Sequence, residues 1–226
     1  MIKKWMIGDR ELNKKTRALS LDEFELIIST MKSGFVYNGV ECKPNNRIAT
    51  ILIMQGNLGI RIGDLLKLRP RNIIKEGKRY RLDIIEEKTG KSRTFTVPKE
   101  VCEYLINYYK TYKIRKNERI FSISERAIQK HLKTVCNYLK LDGVSTHSFR
   151  KFFATSIYLN NDYDIVLVQK LLQHSNINIT QRYIGLGDSK IENALNNHIY
   201  LLWEQLYLLS FFFEKNKIFF MKILGF

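Results

Sequence analysis

Proline is nearly missing from this chain, with three residues in 226, which leaves no room for a proline-rich linker between domains. Cysteine is as scarce. Cys42, Cys102 and Cys136 are odd in number, far apart and without a C-x-x-C pair. That argues against a disulfide framework and a structural zinc site, and fits a reducing cytoplasm. Acidic residues are outnumbered, 22 against 38 Lys and Arg, giving a formal net charge of +16. No internal repeat of solenoid period is visible. No apolar run reaches the roughly 20 residues that a spanning helix needs. The richest, residues 199–213 (IYLLWEQLYLLSFFF), is broken by Glu204 and Gln205. At the N-terminus, charge returns before the apolar stretch of a signal peptide can form. The expectation is a cytoplasmic protein with no membrane span.

A hydrophobic share of 45% supplies a packed core, and 27% charged residues is ordinary for a globular chain. The length allows one domain with extensions, or two small ones. The surplus of positive charge draws the chain to polyanions: nucleic acid, an acidic membrane surface or an acidic partner.

Residues 1–18 are basic and weakly periodic, and read as an arm or linker remnant. Ser20 and Glu23 form an S-x-x-E capping box ahead of Leu21, Phe24, Ile27, Ile28 and Met31, whose spacing of three and four predicts a helix. RIATILIMQGN predicts a second helix running to Gly59, and IGDLLKL a short third stopped before Pro70. Strand signals are confined to the middle. RYRLDIIEE and SRTFTVP predict a hairpin about a Thr89-Gly90 turn, NIIKEGKRY adds a third strand, and Pro98 ends the sheet. Helical runs come after it: KEVCEYLINYYKTY, then ERAIQKHLKTVCNYLK with a capping box at Ser122 and Glu125, then HSFRKFFATSIYL, DIVLVQKLLQ and a long run after Gly187. The fold class is α+β, mainly α-helical, with a small three-stranded antiparallel sheet.

Several residues carry candidate chemistry, each with an ordinary reading beside it. In H-S-F-R, three helical residues turn the side chain through about 300°, so His147 and Arg150 share a face and can reach one anion. They also read as plain surface residues. Arg61, at a helix start with Asp64 one turn on, suits a phosphate clamp or a common Arg–Asp pair. Lys88, Lys91 and Arg93 surround the hairpin tip, which can touch a nucleic-acid backbone or merely be solvated. Tyr183 comes after His174 in H-S-N-I-N-I-T-Q-R-Y. Its phenol has a pKa of about 10 and needs cations or a base to act as a nucleophile. Together, two arginines, a lysine, two histidines and a tyrosine suit phosphoryl transfer without a metal.

The order and context of these residues resemble the tyrosine recombinase, or phage integrase, family. The matching pieces are GNLGIRIGDLLKLRPRNI, EEKTGKSRTFTVP, THSFRKFFATSIYLN and LLQHSNINITQRYI, with RALSLDEF near residue 20 similar to the usual opening of the catalytic domain. The likeness covers about residues 17–198. It implies a catalytic domain over residues 19–198 and a site-specific DNA recombinase that cleaves and rejoins strands through a 3′-phosphotyrosine. Arg61 and Arg150 would bind the scissile phosphate, Lys88 would protonate the leaving 5′ oxygen and Tyr183 would attack. His147 would accept a proton or bind phosphate, and His174 would donate a hydrogen bond to the transition state. Lys91, Arg93 and Lys151 are the further candidate contacts to DNA. The resemblance implies no metal and no cofactor, double-stranded DNA as partner, and location at the nucleoid. It also implies a homo-tetramer on DNA, joined by an apolar helix or tail over residues 199–226 that docks in trans.

Two departures stand out. Gln173 replaces the family's usual glycine, which alters how closely the backbone approaches DNA. The first 18 residues cannot hold the helical core-binding domain that such integrases carry, so the chain reads as a catalytic fragment or a minimal recombinase. Three rivals remain: a DNA-binding regulatory or decayed recombinase without activity, a type IB topoisomerase, and a metal-dependent nuclease using Asp83, Glu86 and Lys88.

Overall fold

The computed structural model of the chain describes residues 16–85, 90 and 92–184. The first helix, α1 (Leu21–Ser33), begins as its capping box dictates: Ser20 Oγ accepts from the Glu23 amide, and the Glu23 carboxylate accepts from the Ser20 amide. Arg17 reinforces this start. It forks onto the same carboxylate at 2.6 and 2.5 Å, while its Nε donates to the Asp142 carbonyl. Thr16 and Arg17, expected from sequence in the arm, are thus joined to the body, since the Arg17 amide also donates to Gly143.

Next comes a hairpin that the strand signals of the sequence did not include, β1 (Phe35–Tyr37) paired antiparallel with β2 (Val40–Cys42). Its turn is Asn38-Gly39, both with positive φ (50° and 74°). These are the residue types that a two-residue hairpin turn demands, so the signal is present in the sequence. Phe35 and Tyr37 lean on Tyr138, with ring centroids 4.7 and 6.2 Å apart.

Helices α2 (Asn46–Leu58) and α3 (Ile62–Leu66) come next, then one turn of 3-10 helix at Pro70–Asn72. The expected sheet is present as β3 (Ile73–Glu76), β4 (Arg79–Ile85) and β5 (Ser92–Val97), antiparallel in that order. Its register runs from Tyr80 opposite Val97 to Ile85 opposite Ser92. Glu86, Lys88, Thr89 and Lys91, expected at the tip, lie outside the described residues.

The remaining helices are α4 (Lys99–Thr111), α5 (Glu125–Tyr138), α6 (Thr146–Asn160), α7 (Ile165–Leu172) and α8 (Ile177–Ile184). The cap expected at Ser122 belongs to Ser124, whose Oγ accepts from the Ala127 amide. Ile123 packs against the core between the two serines, which delays the helix, so Glu125 is its first residue and cannot complete a box. Helix α8 was not expected. Alternation in INIT mimics a strand, but Asn176 Oδ1 accepts from the Asn178 amide and caps a helix there. The long run after Gly187 and the apolar segment 199–226 lie outside the described residues.

Two cores matter for the site. The larger joins α1, α2, α4, α5 and the three-stranded sheet, and takes Phe149 from α6. The smaller joins Ala154 and Tyr158 of α6 to Val168 and Leu172 of α7 and Ile184 of α8, with Tyr183 against it. Helix α6 belongs to both, so its position relative to α2 and to α8 is fixed by burial on two sides. Among the described residues no helix is long and apolar enough to cross a membrane.

Candidate functional site

Arg150 is the hub. It lies on α6, is 2% exposed, and donates from Nη1 to the Gly59 carbonyl at 2.6 Å and from Nη2 to the Leu172 carbonyl at 3.0 Å. A buried guanidinium must satisfy its donors or it destabilises the fold. Here the partners are the C-terminal carbonyls of two helices, groups that have no partner within their own helices. One arginine therefore ties the end of α2, just before Arg61, to the end of α7, just before His174.

Gly59 makes the first of these ends. It ends α2 in the left-handed region (φ 60°, ψ 17°), and a Cβ there would stand 2.2 Å from Phe153 Cδ1. Only glycine meets both demands without strain. The turn delivers Arg61 as the residue preceding α3, with its side chain 25% exposed and 3.9 Å from the buried Asp64 carboxylate. Gln55, itself buried, braces this turn through the Ile60 carbonyl.

Gln173 makes the second end. It too is left-handed (φ 52°, ψ 42°), which explains the glycine found there in the family pattern. His174 comes directly after it. Its amide donates to the Gln169 carbonyl, its Nδ1 is 3.0 Å from the buried Thr180 hydroxyl, and its ring meets Tyr183 edge-on with centroids 5.2 Å apart.

Tyr183 sits on α8 with a half-buried ring and an enclosed hydroxyl close to the Arg150 guanidinium. Burial pushes the phenol up, and the charges of Arg150 and Arg61 oppose that rise. His147 is exposed at the start of α6. The protein mass around it, then the charges of Arg150, Lys151 and Arg61, hold its imidazole below the usual value, with Glu125 of α5 acting the other way. At neutral pH it is uncharged and able to accept a proton.

Arg61, His147, Arg150, His174 and Tyr183, scattered over more than 120 residues of chain, are thus brought to one place. Lys88 and Lys91 lie outside the described residues. Lys151 is in the same cluster: its Nζ donates to the Thr16 carbonyl at 2.6 Å and stands over the Tyr183 ring. Arg93 differs from the expectation that it projects from the hairpin. Strand alternation turns it inward with Val97, 4% exposed, where it stacks over Phe95 and donates to the Leu171 carbonyl. Gln55, Gln169 and Thr180 were not singled out from sequence, and nothing in their local spacing marks them; Gly59 is marked there only as the end of a helix. Among the described residues no group of three or more His, Cys, Asp or Glu converges as a metal site. Asp83 instead accepts from the Thr94 hydroxyl.

The profile of the phage integrase family matches residues 17–190. Similar curated proteins include tyrosine recombinase XerC of Caldanaerobacter subterraneus subsp. tengcongensis, 28% identical over 187 residues, covering 76% of this chain and 51% of that protein. Another is the probable integrase/recombinase YoeC of Bacillus subtilis, 29% identical over 157 residues, covering 66% of this chain and 83% of that protein. The chain therefore spans about half the length of the XerC relative. Among solved structures, XerA recombinase matches with a TM-score of 0.60 at 22% identity, over 83% of this chain and 66% of that one. The catalytic domain of bacteriophage HP1 integrase matches at 0.56 and 18% identity, over 81% and 96%. These last two are likenesses of fold. Motifs, fold and family profile coincide over most of the described residues, and the chain belongs to the phage integrase family.

Proposed function

We propose that this chain is the catalytic domain of a tyrosine-type site-specific DNA recombinase, acting on double-stranded DNA in the nucleoid. The observation that carries the reading is the set of Arg61, Arg150 and His174 beside Tyr183, with His147 close to the same two arginines. Tyr183 Oη forms a bond to the scissile phosphorus as the bond from phosphorus to O5′ breaks. The phenol proton passes to neutral His147, and the leaving O5′ takes a proton from Lys88. Arg61, Arg150 and His174 stabilise the charge that develops on the non-bridging oxygens. A 5′ hydroxyl of another strand reverses the step. The phosphotyrosine conserves the bond energy, so neither metal nor ATP is required. Because the Tyr183 hydroxyl is enclosed, DNA binding must uncover it.

Similar proteins support DNA as partner: one solved relative is the XerH site-specific recombinase bound to its difH substrate in a pre-cleavage complex. For the chain termini, residues 1–15 serve as an arm, Thr16 and Arg17 being joined to the body, and residues 199–226 pass to a neighbouring protomer, closing a tetramer on DNA. Deleting residues 200–226 then abolishes cooperative complexes in a gel-shift titration, and unchanged complexes would refute that role.

The test of the main reading is incubation with a nicked suicide duplex in EDTA. Wild type is expected to form an SDS-resistant adduct and Tyr183→Phe none. An adduct that survives the substitution moves the nucleophile elsewhere, and cleavage that leaves no adduct and is lost in EDTA favours a nuclease. The enclosed, raised phenol is the one observation favouring a DNA-binding protein without activity. That reading holds if wild type shifts DNA in gels but yields no adduct.

A further inference from the structure

Arg93 is a charged side chain in the interior, 4% exposed. Burying a guanidinium costs free energy unless its donors and charge are matched. Its partners include the Phe95 face 4.4 Å away and the carbonyl of Leu171. Leu171 is the next-to-last residue of α7, where carbonyls lack helical partners and carry the negative end of the helix dipole. The next carbonyl, Leu172, is taken by Arg150. Two arginines from different elements, β5 and α6, thus hold consecutive carbonyls at one helix end.

Beyond that end the chain makes the left-handed turn at Gln173 and reaches His174. In sequence, Lys88 lies five residues before Arg93. Arg93 is therefore the physical link between β5 and the turn that presents His174.

We infer that Arg93 is a positioning residue: it fixes the end of α7 against β5 so that His174, and through Leu172 the Arg150 guanidinium, meet the phosphate together. The inference rests on the recombinase reading. Arg93 touches no substrate; it acts through the backbone it holds. The fork is suited to this because one arm can lie flat on Phe95 while another donates, which a lysine ammonium does less well.

The experiment uses the full chain and the nicked suicide duplex, measuring single-turnover adduct formation and DNA affinity separately. Wild type is expected to form the adduct. Arg93→Met should bind DNA within about twofold of wild type yet react roughly 10- to 100-fold more slowly, the loss that a misplacement of about 1 Å produces. Arg93→Lys should recover part of the rate, since its ammonium can still reach one carbonyl. In a His174→Ala background, Arg93→Met should cost less than about threefold more, because residues acting through one another are not additive.

Four outcomes overturn the inference: an unchanged rate, fully additive losses, an affinity loss as large as the rate loss, or a rate lost only in step with melting temperature. The affinity outcome would make Arg93 a DNA contact after all. If Arg93→Met does not fold, Arg93→Lys at wild-type melting temperature carries the test: a slowed rate supports the inference and a normal one defeats it. Wild type forming no adduct defeats the recombinase reading, and this inference falls with it. A reactive wild type beside an equally reactive Arg93→Met defeats this inference alone.

Discussion

The Lys151 ammonium stands 5.5 Å from the centre of the Tyr183 ring. It lies four residues beyond His147 on α6, so one helical turn places an imidazole and a cation on the face that meets α8. A cation over an aromatic ring is attracted to its face, and more strongly once the ring bears phenolate charge. Lys151→Met should slow adduct formation about 3- to 30-fold, the range of one cation–π contact. A pure backbone contact would instead reduce affinity and lower the salt slope of binding by about one. Rate and salt slope measured on the same variant separate the two.

His147 gives a pH dependence of definite sign. Its folded pKa lies below the 6.5 of a free imidazole, so the neutral form prevails at neutral pH and is lost only in more acidic solution. If it accepts the phenol proton, the acid limb of the cleavage rate falls below pH 6.5 and changes in His147→Asn. His131 is also lowered, by burial alone. For both, the unfolded chain takes up protons first, so their share of stability is complete above pH 6.5 and is lost as pH falls through the folded value. His131→Asn should reduce the stability slope but leave the rate limb in place. A rate limb indifferent to His147→Asn removes that residue from proton transfer.

Arg150→Ala is more than a loss of phosphate clamp. It leaves the Gly59 and Leu172 carbonyls without their side-chain donor. Two unsatisfied buried acceptors cost about 2–5 kcal/mol, or roughly 5–15 °C in melting temperature for a domain of this size. Calorimetry beside the cleavage assay checks this. A variant that is inactive but melts like wild type would mean that the two hydrogen bonds contribute nothing to folding.

Two left-handed helix ends should respond in opposite senses. Gly59→Ala combines a strained φ with a clash against Phe153 and should destabilise by about 2–4 kcal/mol, displacing Arg61 as well. Gln173→Gly removes strain at φ 52° and should stabilise by about 0.5–1 kcal/mol, net of the freedom glycine adds to the unfolded chain. Urea unfolding of both variants reads the signs directly.

Thiol reactivity offers a check on packing. Burial pushes Cys136 up to about 12 and Cys102 up to about 11, so both stay protonated and inert at neutral pH. Cys42, on β2, is only half-buried. A thiol reagent should therefore label one cysteine in the native protein and three after denaturation. Rapid labelling of Cys136 under native conditions would contradict the core between α1 and α5.

Much of the fold and site is legible from local pattern. The capping box at Ser20, the apolar periodicity of α1 and α2, the sheet from Ile73 to Val97 and the residues of the four family-like pieces all depend on neighbours within a few positions, which a linear reading can see. The Asn38-Gly39 hairpin is equally local, though its strands are only three residues long and carry little strand signal of their own. Helix α8 is hidden because isoleucine and threonine in alternation favour a strand, and a single Asn176 cap with burial of Ile184 overrides them.

By itself the amino-acid order determined which groups were available and what chemistry they suit, because charge, nucleophilicity and helix spacing belong to the residues. Only tertiary structure decided that Arg93 turns inward to a helix end, that Lys151 reaches Tyr183, and that Arg150 joins Gly59 to Leu172. Those partners are separated by 78, 32, 91 and 22 positions. The reason is physical: a buried cation takes whichever carbonyls the packing of two cores leaves open, and no short stretch of sequence specifies which helix end will face it.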